Sequence, residues 1–346
     1  MAGALTVAAF TGGRSTPSAR FRVRQYAPVL APLGVWIREY PHPLGSFPPA
    51  AAWRRPFWAL AAVAERAGAA LRARGADVSL IQREMVSSLL TAEVLTRRPR
   101  VLDVDDAIWL HGRGSAARRL ARLCDWVVCG SEFLAERFRR WSARVAILPT
   151  AVDTARFVPG PAPRGRPRLG WSGSSSGFRY LRLIAPAIRE VLNRRRDAVL
   201  RIVSDQPPAL DLPPDRIEFI PWSESVEVSA IQQMTVGLMP LDDSEWSRGK
   251  CSFKLLCYAA CGVPAVASPV GMNREVLEAG GGIPASSLDE WVEAMDWAMV
   301  RGGEARARAA AARRVVEERY SLAALAPRLA RILRGVWEES SCASAM

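Results

Sequence analysis

Lysine is almost missing from this chain of 346 residues: of 47 basic side chains only Lys250 and Lys254 are lysine, the rest arginine. Histidine is as scarce, with His42 and His111 alone. The six cysteines, at 124, 129, 251, 257, 261 and 342, include no CxxC pair, so zinc-ligand spacing is absent and no metal site is expected. No stretch approaches the ~18 uninterrupted apolar residues of a membrane span. The opening MAGALTVAAF has no basic flank and reads as a first buried strand rather than a secretion signal. Thiols without an export signal point to a reducing, cytoplasmic setting. Neither GxGxxG nor GxxxxGK followed by Ser or Thr occurs, which excludes the usual dinucleotide fingerprint and the P-loop NTPases.

What is present is a foldable chain. Apolar residues make up 49% and charged residues 23%, which excludes wholesale disorder, and the length suits two domains. The net charge of +13 is unevenly placed. Residues 1–158 hold 23 arginines against 12 acids, whereas residues 159–346 hold 24 basic side chains against 22 acids. An anionic partner for the first half and a merely solvated basic surface both account for that excess. Nucleic acid is disfavoured, because no recognition module accompanies the charge.

Short apolar runs alternate with amphipathic stretches. ALTVAAF (4–10), DVSLIQ (77–82), VLDV (101–104), WVVCG (126–130) and VAILP (145–149) read as strands, with helical patterns at 57–74, 115–123 and 131–140. PGPAPRGRP at 159–167 reads as a linker. The rhythm restarts with RLGWSG (168–173), a helix at 179–194, AVLRIVS (198–204), RIEFIPW (216–222), VGLMPL (236–241), a helix at 253–261 and PAVASP (264–269). We therefore expect an α/β protein: a first domain over 1–158, the linker, a second domain over 168–320 and a helical tail over 321–346 that returns to the first. Ligands of such sheets bind beyond the carboxyl ends of the strands, so the strand-to-helix loops carry the function.

Four loops matter. In TGGRSTPSARFR (11–22), Gly12 and Gly13 allow close backbone approach, and Arg14, Arg20 and Arg22 surround the turn; a plain tight turn is the alternative. In GWSGSSSGF (170–178), Gly173, Ser174, Ser175 and Ser176 could offer N–H groups and hydroxyls to an anion, or form a flexible turn. In DDSEWSRGKCSFKLL (242–256), Ser252 is an N-cap candidate, and Arg248, Lys250 and Lys254 crowd the start of the next helix. Cations there oppose the helix dipole, so either a bound phosphate or the nearby Asp242, Asp243 and Glu245 must compensate; both lysines lying here favours the phosphate. In VLDVDDAIW (101–109), Asp105 and Asp106 end a strand, where they could bind sugar hydroxyls, accept protons or hold a metal, the last disfavoured because only His111 lies at ligand spacing beside them.

Together these segments carry a resemblance. RLGWSGSSSGFRYLRLI (168–184) and MPLDDSEWSRGKCSFKLLCYAACGVPAVASPVG (239–271) resemble the donor-binding half of a glycosyltransferase. They are most similar to retaining family-4-type enzymes (glycosyl transferases group 1) of the GT-B fold. PSARFRV (17–23), VLDVDDAIW, WVVCGSEFLAERF (126–138) and LPTAVDTARF (148–157) agree in order along the chain. The resemblance implies two Rossmann-like, doubly wound parallel-sheet domains facing across a cleft. It implies transfer of a sugar from a UDP-, GDP- or similar donor, with retention and without an obligatory metal or cofactor. The donor would meet Gly12, Gly13, Gly173, Ser174, Arg248, Lys250, Ser252, Phe253, Lys254 and Cys257. Asp106, Lys250 and Arg248 would serve catalysis, and Arg14, Arg20 and Arg22 the acceptor side.

The departures are specific. Gly249 and Cys257 stand where many members carry two glutamates, the second of which holds the ribose, and Asp105–Asp106 replaces a His–Asp pair. A catalytically silent protein of the same fold, binding nucleotide sugar or supporting a partner enzyme, is the rival reading. The acceptor is open: a glycan, a lipid-linked or a small molecule. WRRPFW (53–58) interleaves Trp53, Phe57 and Trp58 with Arg54 and Arg55, which suits an anionic membrane face, although aromatics packed into a core explain it as well. The corresponding location is cytoplasmic, with peripheral attachment at the inner face of a membrane.

Overall fold

The structure, a computed structural model, describes residues 3–300 and 302–344. The chain divides into two compact units, Met1–Ala151 with Gly249–Cys251 and Leu322–Met346, and Val152–Arg248 with Ser252–Ser321.

The first unit is built on a six-stranded sheet in the order β2-β1-β3-β4-β5-β6. Its strands are β1 (Leu5–Thr11), β2 (Val35–Pro41), β3 (Val78–Gln82), β4 (Arg100–Val104), β5 (Trp126–Cys129) and β6 (Val145–Ile147). All neighbouring pairs are parallel, as βα alternation demands. β3 and β4 are buried throughout, whereas β2, at the edge, is half-exposed and carries Arg38 and Glu39. That polar edge strand is the one the hydrophobic pattern does not announce. The long helix Leu322–Ser344 packs here: Leu325, Leu329, Leu333 and Val336 join Leu5, Val7 and Val101 in one core.

The second unit has β7 (Arg168–Ser172), β8 (Val199–Ser204), β9 (Ile217–Pro221), β10 (Val236–Met239), β11 (Ala265–Ala267) and β12 (Ile283–Pro284). Their order is β12-β11-β10-β7-β8-β9, again parallel. Its core centres on the fully buried Trp171 and Trp291 with Leu200, Ile202 and Met295. The single helix expected at 179–194 is two, Phe178–Leu183 and Ala185–Arg194, broken at Ile184 just before Pro186.

The division between units falls earlier than the Pro-rich segment suggests. Val152 N–H donates to the Tyr320 carbonyl at 2.8 Å, and Phe157 is buried with its carbonyl bound by Arg313. Residues 152–167 are thereby tied into the second unit, and PGPAPRGRP is a surface loop of it. Among the described residues no helix is long and apolar enough to cross a membrane.

Candidate functional site

Each sheet has one point where successive strands lie on opposite sides of the first, and loops leaving the two central strands there diverge to open a crevice. In the second unit that point lies between β7 and β10. The loops concerned are those leaving Ser172 and Met239, which contain Gly173–Ser176 and Asp242–Arg248.

These loops and the following helix, Phe253–Ala260, interlock. Tyr258 lies flat on Gly237 of β10 and its hydroxyl accepts the Ser172 N–H at 3.0 Å, which closes the end of β7. A β-carbon on Gly173 would overlap Cε of Lys254 and come within 3.0 Å of the Trp171 ring. The stem of Lys254 therefore crosses Gly173, and its ammonium stands 5.4 Å from the centroid of Trp171. A cation over an indole face is attracted to the ring and held in place.

Ser252 is the residue before that helix, as an N-cap should be, but it does not cap. It adopts φ +52°, a left-handed conformation, and its hydroxyl donates to Asn273 Oδ1 at 2.7 Å. Asn273 is fixed in turn by its own amide on the Ser268 carbonyl, 3.1 Å away. The helix thus begins without a side-chain cap, and the partial positive charge of its first turn is not answered by Ser252.

Other expectations need correction. Ser175 does not offer its N–H outward: Asp205, just past β8, accepts it at 2.6 Å and the Ser175 hydroxyl at 2.9 Å. Burial works against the Asp205 carboxylate, yet these bonds hold its pKa below the usual range. Ser174 is exposed, and its hydroxyl lies 2.8 Å from Ser176 Oγ. Arg248 forms a two-pronged pair with Asp243, at 2.7 and 2.8 Å, so the nearby acids compensate that cation. Phe253 is half-buried, and Cys257 is 3% exposed, so a ribose would find no exposed side chain at 257.

Lys250 does not stand at the helix start. Gly249–Cys251 belongs to the first unit, where Lys250 Nζ lies 2.7 Å from Asp106 Oδ1. Asp106 Oδ2 also accepts from Arg83 at 2.6 Å, and Arg83 reaches Asp105 at 2.5 Å. Cys251 Sγ contacts the Asp105 carbonyl at 3.3 Å, and Gly130 has no β-carbon because that sulfur occupies the place. Burial pushes the Cys251 thiol up to about 12, which makes it a packing group rather than a nucleophile. For Asp105, burial is outweighed by Arg83, and its pKa is lowered. Two cations and two carboxylates thus form one network at the ends of β3 and β4.

The first sheet's own crevice lies at β1 and β3. Gly13, at φ +145°, and Gly12 turn the chain after β1, and Arg24 pins the turn by holding the Arg14 carbonyl at 3.0 Å and Glu39 at 2.9 Å. Beside it is a cavity of about 700 Å³ lined by Gly12, Gly13, Arg14, Tyr40, His42 and Arg66. Arg14 is exposed there. Arg20 is buried, with its guanidinium 4.0 Å from the Phe21 ring. Arg22 is not a surface group at all: it is buried, paired with Asp103 at 2.5 Å and bonded to the Leu148 carbonyl at 2.6 Å. His42 is also buried, accepting the Leu44 N–H at Nδ1, and burial lowers its pKa to about 4. It therefore stays neutral.

Sequence reasoning missed Gln82, Arg83 and Glu84. The signal was available: Gln82 ends β3, one of the two strands at the first crevice, and Arg83 and Glu84 follow it. Trp53 and Phe57 were also misread in one alternative, since they are 68% and 72% exposed rather than packed in a core.

Residues 166–316 match the family described as glycosyl transferases group 1. No curated protein matches the chain in sequence. Among solved structures, sucrose-phosphate synthase from Thermosynechococcus elongatus superposes with a TM-score of 0.70 at 14% identity, covering 97% of this chain and 100% of that one. The Anabaena protein Alr3699/HepE, in complex with UDP and glucose, gives 0.70 at 13% identity over 96% of this chain and 100% of its own. WaaG, a glycosyltransferase involved in lipopolysaccharide biosynthesis, gives 0.67 at 14% identity over 96% and 100%. The fold is therefore GT-B, with two Rossmann-like α/β units, and the family match supports a glycosyltransferase.

Proposed function

We propose that this protein is a glycosyltransferase that binds a nucleotide-sugar donor at the β7/β10 crevice of its second unit. The observation that carries the reading is the crossing of Gly173 by Lys254. It sets a fixed cation and an uncapped helix start beside a glycine turn, at the point where such sheets bind phosphates. A nucleoside diphosphate gains charge as it leaves the sugar, and preorganised cations and N–H dipoles stabilise that charge most in the transition state. Lys254 supplies one fixed cation, and Arg248 a second once the diphosphate competes with Asp243. The similarity to a protein held with UDP and glucose supports a UDP-type donor.

In this reading the reaction retains configuration and needs no metal. Gly12, Gly13 and Arg14 face the acceptor in the 700 Å³ cavity. Asp106, held by Arg83 and Lys250, serves catalysis as a carboxylate of the first unit. Trp53 and Phe57, with Arg54 and Arg55, serve as attachment to an anionic membrane face.

The test is hydrolysis and transfer across a panel of UDP-, GDP- and ADP-sugars by the purified chain, with and without EDTA. Turnover that survives EDTA and falls at least tenfold in Lys254→Ala is expected. No turnover with any donor, together with UDP binding that Lys254→Ala leaves unchanged, would refute it. One observation favours the silent reading: Lys250 and Arg248, both expected at the diphosphate, are each committed to a carboxylate. UDP binding without turnover of any donor is its outcome.

A further inference from the structure

A second, smaller pocket opens beside the first sheet's crevice. Its volume is about 40 Å³, and it is lined by Gly12 and Thr16 after β1, Ser46, Gln82 at the end of β3, Glu84 just past it and His111 beyond β4. Gly12 and Thr16 also line the 700 Å³ cavity, so the two spaces adjoin.

Gln82 is 3% exposed, and neither its Nε2 nor its Oε1 has a hydrogen-bond partner among the described residues. Ser46 Oγ is likewise buried and unpartnered, and a β-carbon on Gly12 would lie 3.1 Å from it. The loops that carry these groups are fixed by other means: the Ser87 N–H donates to the Ser46 carbonyl at 2.9 Å, and the Met85 N–H donates to Glu93 at 2.8 Å. Buried amides are almost always satisfied in a folded protein, so a rigid wall with an idle carboxamide is built for a visiting group.

The chemistry of the wall selects that group. A carboxamide donates through nitrogen and accepts through oxygen, which matches a hydroxyl or a vicinal diol. An anion is disfavoured: Arg83 is engaged by Asp105 and Asp106, and Glu84 brings a carboxyl of its own. The volume admits a hydroxymethyl group and leaves a ring to the neighbouring cavity.

We propose that the Gln82–Ser46–Glu84 pocket is a subsite for an uncharged polyol edge, taking one hydroxyl arm of a sugar or cyclitol whose ring lies over Gly12. Calling this compound the acceptor rests on the glycosyltransferase reading; its binding does not.

Saturation-transfer NMR on the purified full chain tests it. The probes are methyl α-glucopyranoside, methyl α-mannopyranoside and myo-inositol, with inorganic phosphate as competitor and UDP titrated in parallel. At least one polyol is expected to bind saturably, at least tenfold more weakly in Gln82→Leu and several-fold more weakly in Ser46→Ala, with UDP affinity unchanged. Gln82→Leu should melt no lower than the parent, because leucine removes an unsatisfied amide. Polyol binding that both variants leave intact, or that phosphate displaces, overturns the subsite. UDP binding with no polyol binding also overturns it and leaves the donor reading standing. Polyol binding without UDP binding supports the subsite and removes the donor reading, and binding of neither removes both.

Discussion

Lys250 and Asp106, separated by 144 positions in sequence, meet at 2.7 Å, and Arg83 closes on the same carboxylate from its other oxygen. One of the chain's two lysines thus ends on an acid rather than at a helix start. Both side chains are mostly buried, at 28% and 13% exposed, so the pair is less screened than a surface bridge. A double-mutant cycle of Lys250→Ala and Asp106→Asn, read by urea denaturation, should return a coupling of ~1–2 kcal/mol. Additive effects within error would mean that the contact contributes nothing to the native state.

Arg22→Met should act on stability. Removing one partner of a fully buried pair strands Asp103, at a cost of about 3–5 kcal/mol. The double variant Arg22→Met with Asp103→Leu should recover much of that loss. An Arg22→Met protein that melts normally but loses acceptor binding would restore the surface role the sequence suggests.

Glu84 gives the stability curve a slope. Burial raises its pKa from the ordinary 4.5 to about 7, with Arg83 opposing and Glu93 assisting, and His111 lines the same pocket. Between those values the native state holds a proton that the unfolded chain has released, so stability falls as pH rises through this window. A shift of that size is worth ~3 kcal/mol in all. Unfolding free energies measured from pH 4.5 to 7.5 should show the decline, and Glu84→Gln should flatten it. An unchanged slope in Glu84→Gln assigns the effect elsewhere.

Gly173→Ala should disturb two neighbours at once, Lys254 and the buried Trp171. Overpacking of this kind costs ~1–3 kcal/mol, and UDP affinity, by calorimetry, should fall with the displaced ammonium. Retained UDP affinity would separate Lys254 from the diphosphate.

Trp53 and Phe57, both exposed, with Arg54 4.9 Å from the Trp53 ring, should bind vesicles containing phosphatidylglycerol. Co-sedimentation should weaken with salt and drop at least fivefold in Trp53→Ala with Phe57→Ala. Indifference to anionic lipid removes the membrane role.

Much of the scaffold was legible because buried parallel strands are apolar runs of distinctive length. DVSLIQ became Val78–Gln82, and VLDV became Arg100–Val104. β2 was not legible, since Trp36, Arg38 and Glu39 give an edge strand the look of a loop. β12 was too short to leave a pattern. The site was legible in its glycines and its loops but not in its charges. Spacing along the chain places Arg248, Lys250 and Lys254 together, yet each side chain follows its nearest partner: Asp243, Asp106 and the face of Trp171. Arg22 misled for the same reason, because a guanidinium beside a turn reads as exposed until Asp103, 81 residues later, claims it. Gln82 carries no charge and no motif, and only its missing partners reveal it.

The return of Leu322–Ser344 to the first sheet sets an order of events on the ribosome. Leu325, Leu329, Leu333 and Val336 leave the exit tunnel long after Leu5 and Val7, yet they complete the core that those two began. Domains ordinarily close in the order in which they are synthesised. Here the second unit has all of its strands before the first can seal, so the first sheet waits with part of one face uncovered. Nascent chains halted before residue 322 should expose that face to chaperones.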